Sequence, residues 1–396
     1  MTPPNRLFRR LTRTIHAVDH AVGRLARSRR ILIELRTPVY QAVLGPVCEA
    51  LHDLPRTSLF YTSEYPDRIM PLVDPAAFRT HAQVEWSRFD LYLNADPWAA
   101  ARLRRCARRI NFFHGVAGKY DLDRPAGLPM GFEYYDRVAF INRDRMDRYL
   151  DAGVVTTAQA LLVGYPKLDR LASGRVDGKA VRTSLDLDPA RPTALYAPTY
   201  SPASSLHLAG ECIIRSLESA GFNVIVKLHD RSLDPDPRYS GGIDWRARMR
   251  ALEQPRTIRY VEGPDASPYL AAADVMVTDH SSVGFEYLVL DRPLIVFDTP
   301  GLAEAARINP EKLTLLRSAA SVVRDCEAIG DAARVELNAP GRLSPERRRV
   351  AGEMFYEPGT ATDRAVAIIR KLLGDRSESP QPAVSRSRSP STEKRP

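Results

Sequence analysis

Two histidines in this chain occupy the same kind of local setting. His114 follows the buried-type run 110–113 and is followed by Gly115, and His229 closes the run 224–228. A histidine just past a strand, with a glycine that lets a substrate approach the backbone, suits a general base. His114 would take the proton from an acceptor hydroxyl, an effect on the order of 10²–10⁴ in rate. His229 suits a donor role, binding phosphate oxygens and steadying a leaving diphosphate, although pairing with a nearby acid would also explain it. The third candidate is Asp279-His280-Ser281-Ser282, which follows the run 275–278 and opens a helical pattern. Free N–H groups and the positive dipole end of such a helix would cradle phosphate, with the serine hydroxyls as extra donors.

Other chemistries find little support. There is no GxxxxGK[ST] loop, which argues against a P-loop ATPase. The Asp-x-Asp triplets at 121–123, 186–188 and 234–236 are what chance gives among 48 acidic residues, and no metal is assigned. Cys48, Cys106, Cys212 and Cys326 show no CxxC spacing. They are expected to be buried free thiols rather than disulfides or zinc ligands.

The elements that must position these residues form two series. Short β-branched or aromatic runs at 31–35, 58–61, 91–93, 110–113, 138–141 and 161–163 alternate with helical stretches such as 143–152. A second series at 194–196, 224–228, 258–261, 275–278 and 294–297 alternates with helices including 211–220 and 282–290. Strand–helix alternation predicts α/β architecture: two Rossmann-like domains with parallel sheets covered on both faces. In such sheets ligands bind beyond the carboxyl ends of the strands, where all three candidate segments fall. The expected domains are 31–172 and 173–350, then a closing helix in 351–373. A Ser/Pro/Arg-rich tail at 374–396 is expected to be disordered.

The net charge of +9 is concentrated at the ends of the 396-residue chain. Eight arginines stand against Asp19 in residues 1–30, while the body between the two termini is neutral overall. Leu7, Leu11, Ile15, Val18, Val22 and Leu25 recur at three- and four-residue steps among those arginines. That pattern predicts a basic amphipathic helix suited to an anionic membrane surface. No apolar run is long enough to span a bilayer, no secretory signal is evident, and no aromatic-basic stacking motif points to nucleic acid. A cytoplasmic protein is expected.

In order along the chain, several motifs together resemble the CDP-glycerol glycerophosphotransferase family. They are His114-Gly115 with Lys119, Gly164-Tyr-Pro166-Lys167-Leu-Asp169, Leu195-Tyr-Ala-Pro198-Thr199 and Val226-Lys-Leu-His229. The series continues with Thr278-Asp-His-Ser281-Ser282-Val-Gly-Phe-Glu286-Tyr, Leu290-Asp-Arg-Pro293 to Asp298, and Gly359-Thr-Ala-Thr-Asp-Arg364. The resemblance spans about residues 105–370 and implies a GT-B-like fold whose final helix returns to the first half. It also implies a CDP-linked donor, a lipid-linked acceptor, a peripheral position at the inner face of the cell membrane, and no required metal or cofactor. By position, His114 would be the base, with Gly115 and Lys119 on the acceptor side. His229, Ser281 and Ser282 would hold donor phosphates, and Thr199 and Asp279 would line that pocket. Glu286 would reach ribose or glycerol hydroxyls, and Arg364 would clamp phosphate. Val116-Ala117, Tyr200-Ser201 and Asp230 depart from the family's usual residues. On the same frame a nucleotide-sugar glycosyltransferase or epimerase, or a non-catalytic scaffold, would remain as alternatives.

Overall fold

The computed structural model describes Val18 and residues 28–95, 103, 105–116, 122–123 and 131–374. The expected amphipathic segment 1–30, Lys119 and the tail beyond residue 374 lie largely or wholly outside these residues. Among the described residues no helix is long and apolar enough to cross a membrane.

Two six-stranded parallel sheets carry the molecule. The first runs β1 (Arg29–Glu34), β2 (Thr57–Thr62), β3 (Phe89–Asn94), β4 (Cys106–Phe112), β5 (Arg137–Phe140) and β6 (Ala160–Leu162), in the order β2-β1-β3-β4-β5-β6. The second comprises β7 (Thr193–Tyr196), β8 (Asn223–Lys227), β9 (Ile258–Val261), β10 (Val275–Thr278), β11 (Leu294–Phe297) and β12 (Ser321–Val323). Its order is β12-β11-β10-β7-β8-β9, the doubly wound arrangement with a topological switch between β7 and β10. Strands β7, β8, β10 and β11 are buried at every position, as continuous apolar runs covered on both faces must be. All eleven predicted runs become strands; the short edge strand β12 is an addition.

Eight helices matter for the site: α1 (Pro38–His52), α2 (Arg143–Asp151), α3 (Ser205–Ser219), α4 (Ser282–Tyr287), α5 (Pro310–Ser318), α6 (Ile329–Asn338), α7 (Ser344–Met354) and α8 (Ala361–Leu372). Helix α3 starts six residues earlier than the pattern suggested, and α4 tightens into a 3₁₀ turn at Leu288–Leu290. Between the sheets the helix Gly178–Ser184 already belongs to the second half, since Arg182 on it donates to the Ala272 carbonyl and to Asp274 (2.6 and 2.7 Å).

After α7 the chain crosses back. Asn142 Nδ2 donates to the Met354 carbonyl (3.0 Å) and Tyr356 N to the Ile141 carbonyl (3.0 Å), so the first half receives the strand of chain that leads into α8. Asp169, buried at 1% exposure, accepts the backbone N–H groups of Gly359, Ala361 and Thr362 and so caps α8 from a distance in sequence. Gly164 is needed where this crossing occurs. Its φ is +90°, and a side chain there would lie 2.5 Å from the Tyr356 carbonyl oxygen.

One expectation is overturned in the second half. Cys212 on α3 and Cys326, in the turn before α6, form a disulfide, so only Cys48 and Cys106 are free thiols. The packing of α6 on α3 brings the two sulfurs together, with Ser216 Oγ accepting from Gly330 N (3.0 Å) beside them. Burial pushes both remaining thiols up to about 12 and keeps them unreactive.

Candidate active site

His114 stands two residues beyond β4, over the point where the first sheet's order reverses. Its Nδ1 contacts the Ala95 carbonyl at the end of β3, and its ring leans on Tyr40 of α1 with centroids 4.5 Å apart. A carbonyl oxygen can only accept, so Nδ1 carries the proton and Nε2 is left with a lone pair. Tyr40 Oη lies 3.4 Å from that Nε2. The tautomer fixed by the fold is thus the one a base requires. Gly115 follows at φ +75°, a conformation that favours glycine.

Beneath this turn lies a pair the sequence did not disclose. Arg145 of α2 donates from one terminal nitrogen to the Gly115 carbonyl (2.8 Å) and from Nε and the other to Asp123 (2.9 and 2.8 Å). Both side chains are almost fully buried, and the guanidinium also covers the Phe113 ring at 5.4 Å. Burial opposes the Asp123 charge, but Arg145 and, more remotely, Lys312 of the second half hold its carboxyl below the usual range.

His229 is the mirror case. Its Nδ1 accepts from Arg231 N (3.1 Å), capping the short turn Asp230–Leu233. Nδ1 therefore carries no proton, and Nε2–H is a donor. The ring rests on Tyr200 (4.4 Å between centroids), and Arg231 sits over both Tyr200 and Tyr239, at 5.4 and 4.8 Å. Two of the departures from the family pattern acquire roles here. Tyr200 supports His229, and Asp230 feels both Lys227 and Arg68, the latter from Pro66–Ile69 of the first half. Burial raises the Asp230 carboxyl against those two cations, and burial likewise lowers Lys227.

The Asp279-to-Ser282 segment spans the switch point of the second sheet. Asp279, at 1% exposure, spends both oxygens on the protein. One accepts Thr199 N (2.8 Å) and His280 N (2.6 Å); the other accepts Ser205 N (2.9 Å) and Ser205 Oγ (3.0 Å). Thr199 Oγ1 donates to the His280 carbonyl (2.5 Å). Thr199 and Asp279, expected to line the donor pocket, staple the loops after β7 and β10 together. Ser281 takes the N-cap position of α4, and Ser282 begins it half-buried; neither side chain is consumed as a cap.

Two further site candidates have protein partners that the sequence did not show. Glu286, expected at a substrate hydroxyl, gives both oxygens to Lys167 Nζ (3.0 and 2.7 Å) in an ion pair with 3% and 5% of the side chains exposed. Burial works against the Lys167 charge, yet Glu286, Tyr165 and Asp265 outweigh it and raise the ammonium's pKa, while burial raises that of Glu286. Arg364, expected as a phosphate clamp, has all five donors engaged. Nε serves Val163, one terminal nitrogen serves Glu357 Oε2 and Thr360, and the other serves the carbonyls of Tyr356 and Glu357. It fastens α8. The acidic triplets are spent similarly: Asp123 on Arg145, Asp186 on Arg259, and Asp236 on the Arg238 amide.

These contacts bring the two halves of the site to one seam. Tyr165 is buried between the Gly115 backbone and the Lys167–Glu286 pair, and Glu286 is one turn along the helix at whose N-cap position Ser281 stands. Farther out, Arg148 of α2 meets Glu311 of α5 (2.7 Å), and Lys312 meets Asp144 (3.2 Å).

Residues 146–300 match the family model described as CDP-Glycerol:Poly(glycerophosphate) glycerophosphotransferase. That match covers 155 of the 396 residues. No curated protein matches the chain by sequence. Among solved structures, a substituted variant of the wall teichoic acid polymerase TagF covers 94% of this chain and 99% of its own at 14% identity, with a TM-score of 0.68. A TagF variant soaked with CDPG covers 95% and 100% at 15% identity and a TM-score of 0.63. A UDP-GlcNAc 2-epimerase from Neisseria meningitidis, bound to UDP-GlcNAc, covers 86% and 100% at 11% identity and a TM-score of 0.56. At these identities the likeness is one of fold, and it places the chain's two sheets in the GT-B-like architecture.

Proposed function

We propose that the protein moves glycerol phosphate, or a related polyol phosphate, from a CDP-linked donor to a hydroxyl on a lipid-linked acceptor, releasing CMP. One observation carries this reading: the two histidines hold opposite tautomers, an acceptor Nε2 on His114 and a donor Nε2 on His229. In-line displacement at phosphorus needs that division of labour. The acceptor oxygen attacks the β-phosphorus while its proton passes to His114 Nε2. The bond from that phosphorus to the bridging oxygen breaks, and CMP leaves with the electron pair. His229, with the hydroxyls of Ser281 and Ser282 and the free amides opening α4, stabilises the charge that gathers on the phosphates.

The family match and the polymerase-like fold support the donor class. The basic, amphipathic sequence of residues 1–30 supports a peripheral position on the cytoplasmic membrane face, where a lipid-linked acceptor in envelope polymer synthesis would be met. CMP release is measured with CDP-glycerol and with UDP-sugars in parallel. His114→Ala should lower turnover by about 10²–10⁴ while leaving CDP affinity within a few-fold. Wild-type turnover in that variant, or UDP release from a UDP-sugar with no CMP from CDP-glycerol, removes the reading.

A further inference from the structure

The tautomer of His114 depends on where the Ala95 carbonyl points, and Ala95 is the first residue past β3. One position earlier, Asn94 ends the strand with its side chain fully buried. Its Oδ1 accepts from Asn111 Nδ2 (2.9 Å) and from Tyr135 Oη (2.9 Å). Asn111 is the register partner of Asn94 on β4, three residues before His114. Tyr135, 3% exposed, lies in the short connection that leads into β5. A single amide oxygen therefore ties together the end of β3, the strand that delivers His114 and the approach to β5.

We propose that Asn94, Asn111 and Tyr135 are positioning residues for the base. Their bridge pins the last rung between β3 and β4, so that the Ala95 carbonyl meets His114 Nδ1 and the lone pair stays on Nε2. The inference rests on the reading of His114 as the base and deepens it. A neutral imidazole that loses this carbonyl can carry its proton on either nitrogen, and the form with Nε2–H cannot take the proton of a hydroxyl. Once Nε2 is protonated, the same carbonyl still accepts from Nδ1–H and steadies the imidazolium. The bridge itself is neutral, so it fixes the ring's partner without adding a charge that would change the basicity of His114.

Stability alone is a poor reason for this arrangement. Strands covered on both faces are filled with apolar side chains, and Leu93, Ile110 and Phe112 beside the bridge follow that rule. Two buried asparagines break it. One of their atoms is left over, since Asn111 Oδ1 is buried and has no hydrogen-bond partner among the described residues. A dry acceptor of this kind is a cost, and a leucine at this position would remove it together with the amide. What the amides supply instead is direction: a hydrogen-bonded network holds one alignment of the strand ends where an apolar pair tolerates several. That alignment is set one residue from the anchor of the base and, through β4, three residues from the base itself.

The test uses the full chain, with CDP-glycerol as substrate, CDP as inhibitor and nitrogen NMR of the imidazoles as the direct readout. Among the eight histidines, the signals of His114 are those missing from His114→Gln. Wild type should show Nδ1 protonated and Nε2 bare. Asn111→Leu and Tyr135→Phe each remove one of the two bonds, and together they should mix the two tautomers. The kcat should fall about fivefold in each and about 25-fold in the pair, the scale of one and two ordinary hydrogen bonds. KM for CDP-glycerol and inhibition by CDP should stay within a few-fold, which also checks folding. Tyr92→Phe is the control, since it removes another buried bond of β3, to Glu34, and should leave both kcat and tautomer alone. An unchanged tautomer or a wild-type kcat in the double variant overturns the inference, and so does an equal change in Tyr92→Phe. Should the double variant not fold, Tyr135→Phe, which loses only a hydroxyl, decides by the same two readouts. A fully active His114→Gln removes the reading of the base and this inference with it. An inactive His114→Gln beside unaffected bridge variants removes this inference alone.

Discussion

Replacing Asp279 by asparagine separates a structural staple from a ligand-binding carboxylate. The native carboxylate accepts four hydrogen bonds, two on each oxygen, from Thr199 N, His280 N, Ser205 N and Ser205 Oγ. An asparagine oxygen can keep the Thr199 and His280 amides, but its NH₂ then faces the Ser205 N–H, donor against donor. The Ser205 hydroxyl can rotate to accept; the amide cannot. One orphaned buried N–H costs about 1–3 kcal/mol, and the remaining bonds lose the strengthening that a charge gives. The expected loss is therefore about 2–3 kcal/mol for Asp279→Asn and about 4 kcal/mol or more for Asp279→Ala, which leaves three amides unanswered. Urea unfolding followed by intrinsic fluorescence reads the stability, and titration with CDP at low temperature reads the site. CDP affinity should stay within a few-fold in the folded variant. An unchanged urea midpoint for Asp279→Asn, coupled with loss of CDP binding, would refute the argument and return Asp279 to the donor pocket.

Three other outcomes are expected. Lys167→Met should cost about 3–5 kcal/mol by stranding buried Glu286, and the double variant with Glu286→Leu should recover most of it; a neutral single variant would show that the pair does not hold the halves together. Reduction of Cys212–Cys326 should lower stability by about 4–5 kcal/mol, the chain-entropy value for a loop of 114 residues. Equal unfolding midpoints with and without reductant would contradict that. Acid should loosen the contact of α2 with α5. The folded-state pKa values of Asp123 and Asp144 lie below the unfolded one, so their contribution is present above pH about 4 and is lost as pH falls through the lower folded values. Urea midpoints at pH 7, 4 and 3 should fall accordingly, with a smaller drop in Asp144→Asn.

How much of this was legible before the structure depends on sequence distance. Strands β7, β8, β10 and β11 announce themselves because a strand buried on both faces is a local apolar run, and the residues that follow such runs are at the mouth of the sheet by construction. His114, His229, Ser281 and Ser282 were singled out that way, and the structure puts each just beyond a strand. Glu286, Asp279 and Arg364 were singled out too, but their protein partners were not legible, because those groups lie far off in the chain. Lys167 is 119 residues from Glu286, the amides on Asp279 include one 80 residues away, and Arg364 reaches Val163 across 201. Arg145 gave no signal at all, being one arginine in the charged stretch Arg143-Asp-Arg-Met-Asp-Arg148. The pairing of Cys212 with Cys326 was invisible for the same reason, and β12 was missed because three half-exposed residues make no pattern.

The bond between Cys212 and Cys326 turns most of the second half into a covalent ring. Strands β8 to β11, the edge strand β12 and the Ser281 turn all lie on the segment that it encloses. A protease that nicks an exposed loop anywhere within that ring cuts the backbone but frees no fragment until the sulfurs are reduced. The His114 half has no such tie, its Cys48 and Cys106 being free thiols, so a cut there yields separate chains once the protein is denatured. In an oxidised preparation a single cut within residues 212–326 therefore leaves that part of the chain covalently joined, and the cut shows on a denaturing gel only after reduction.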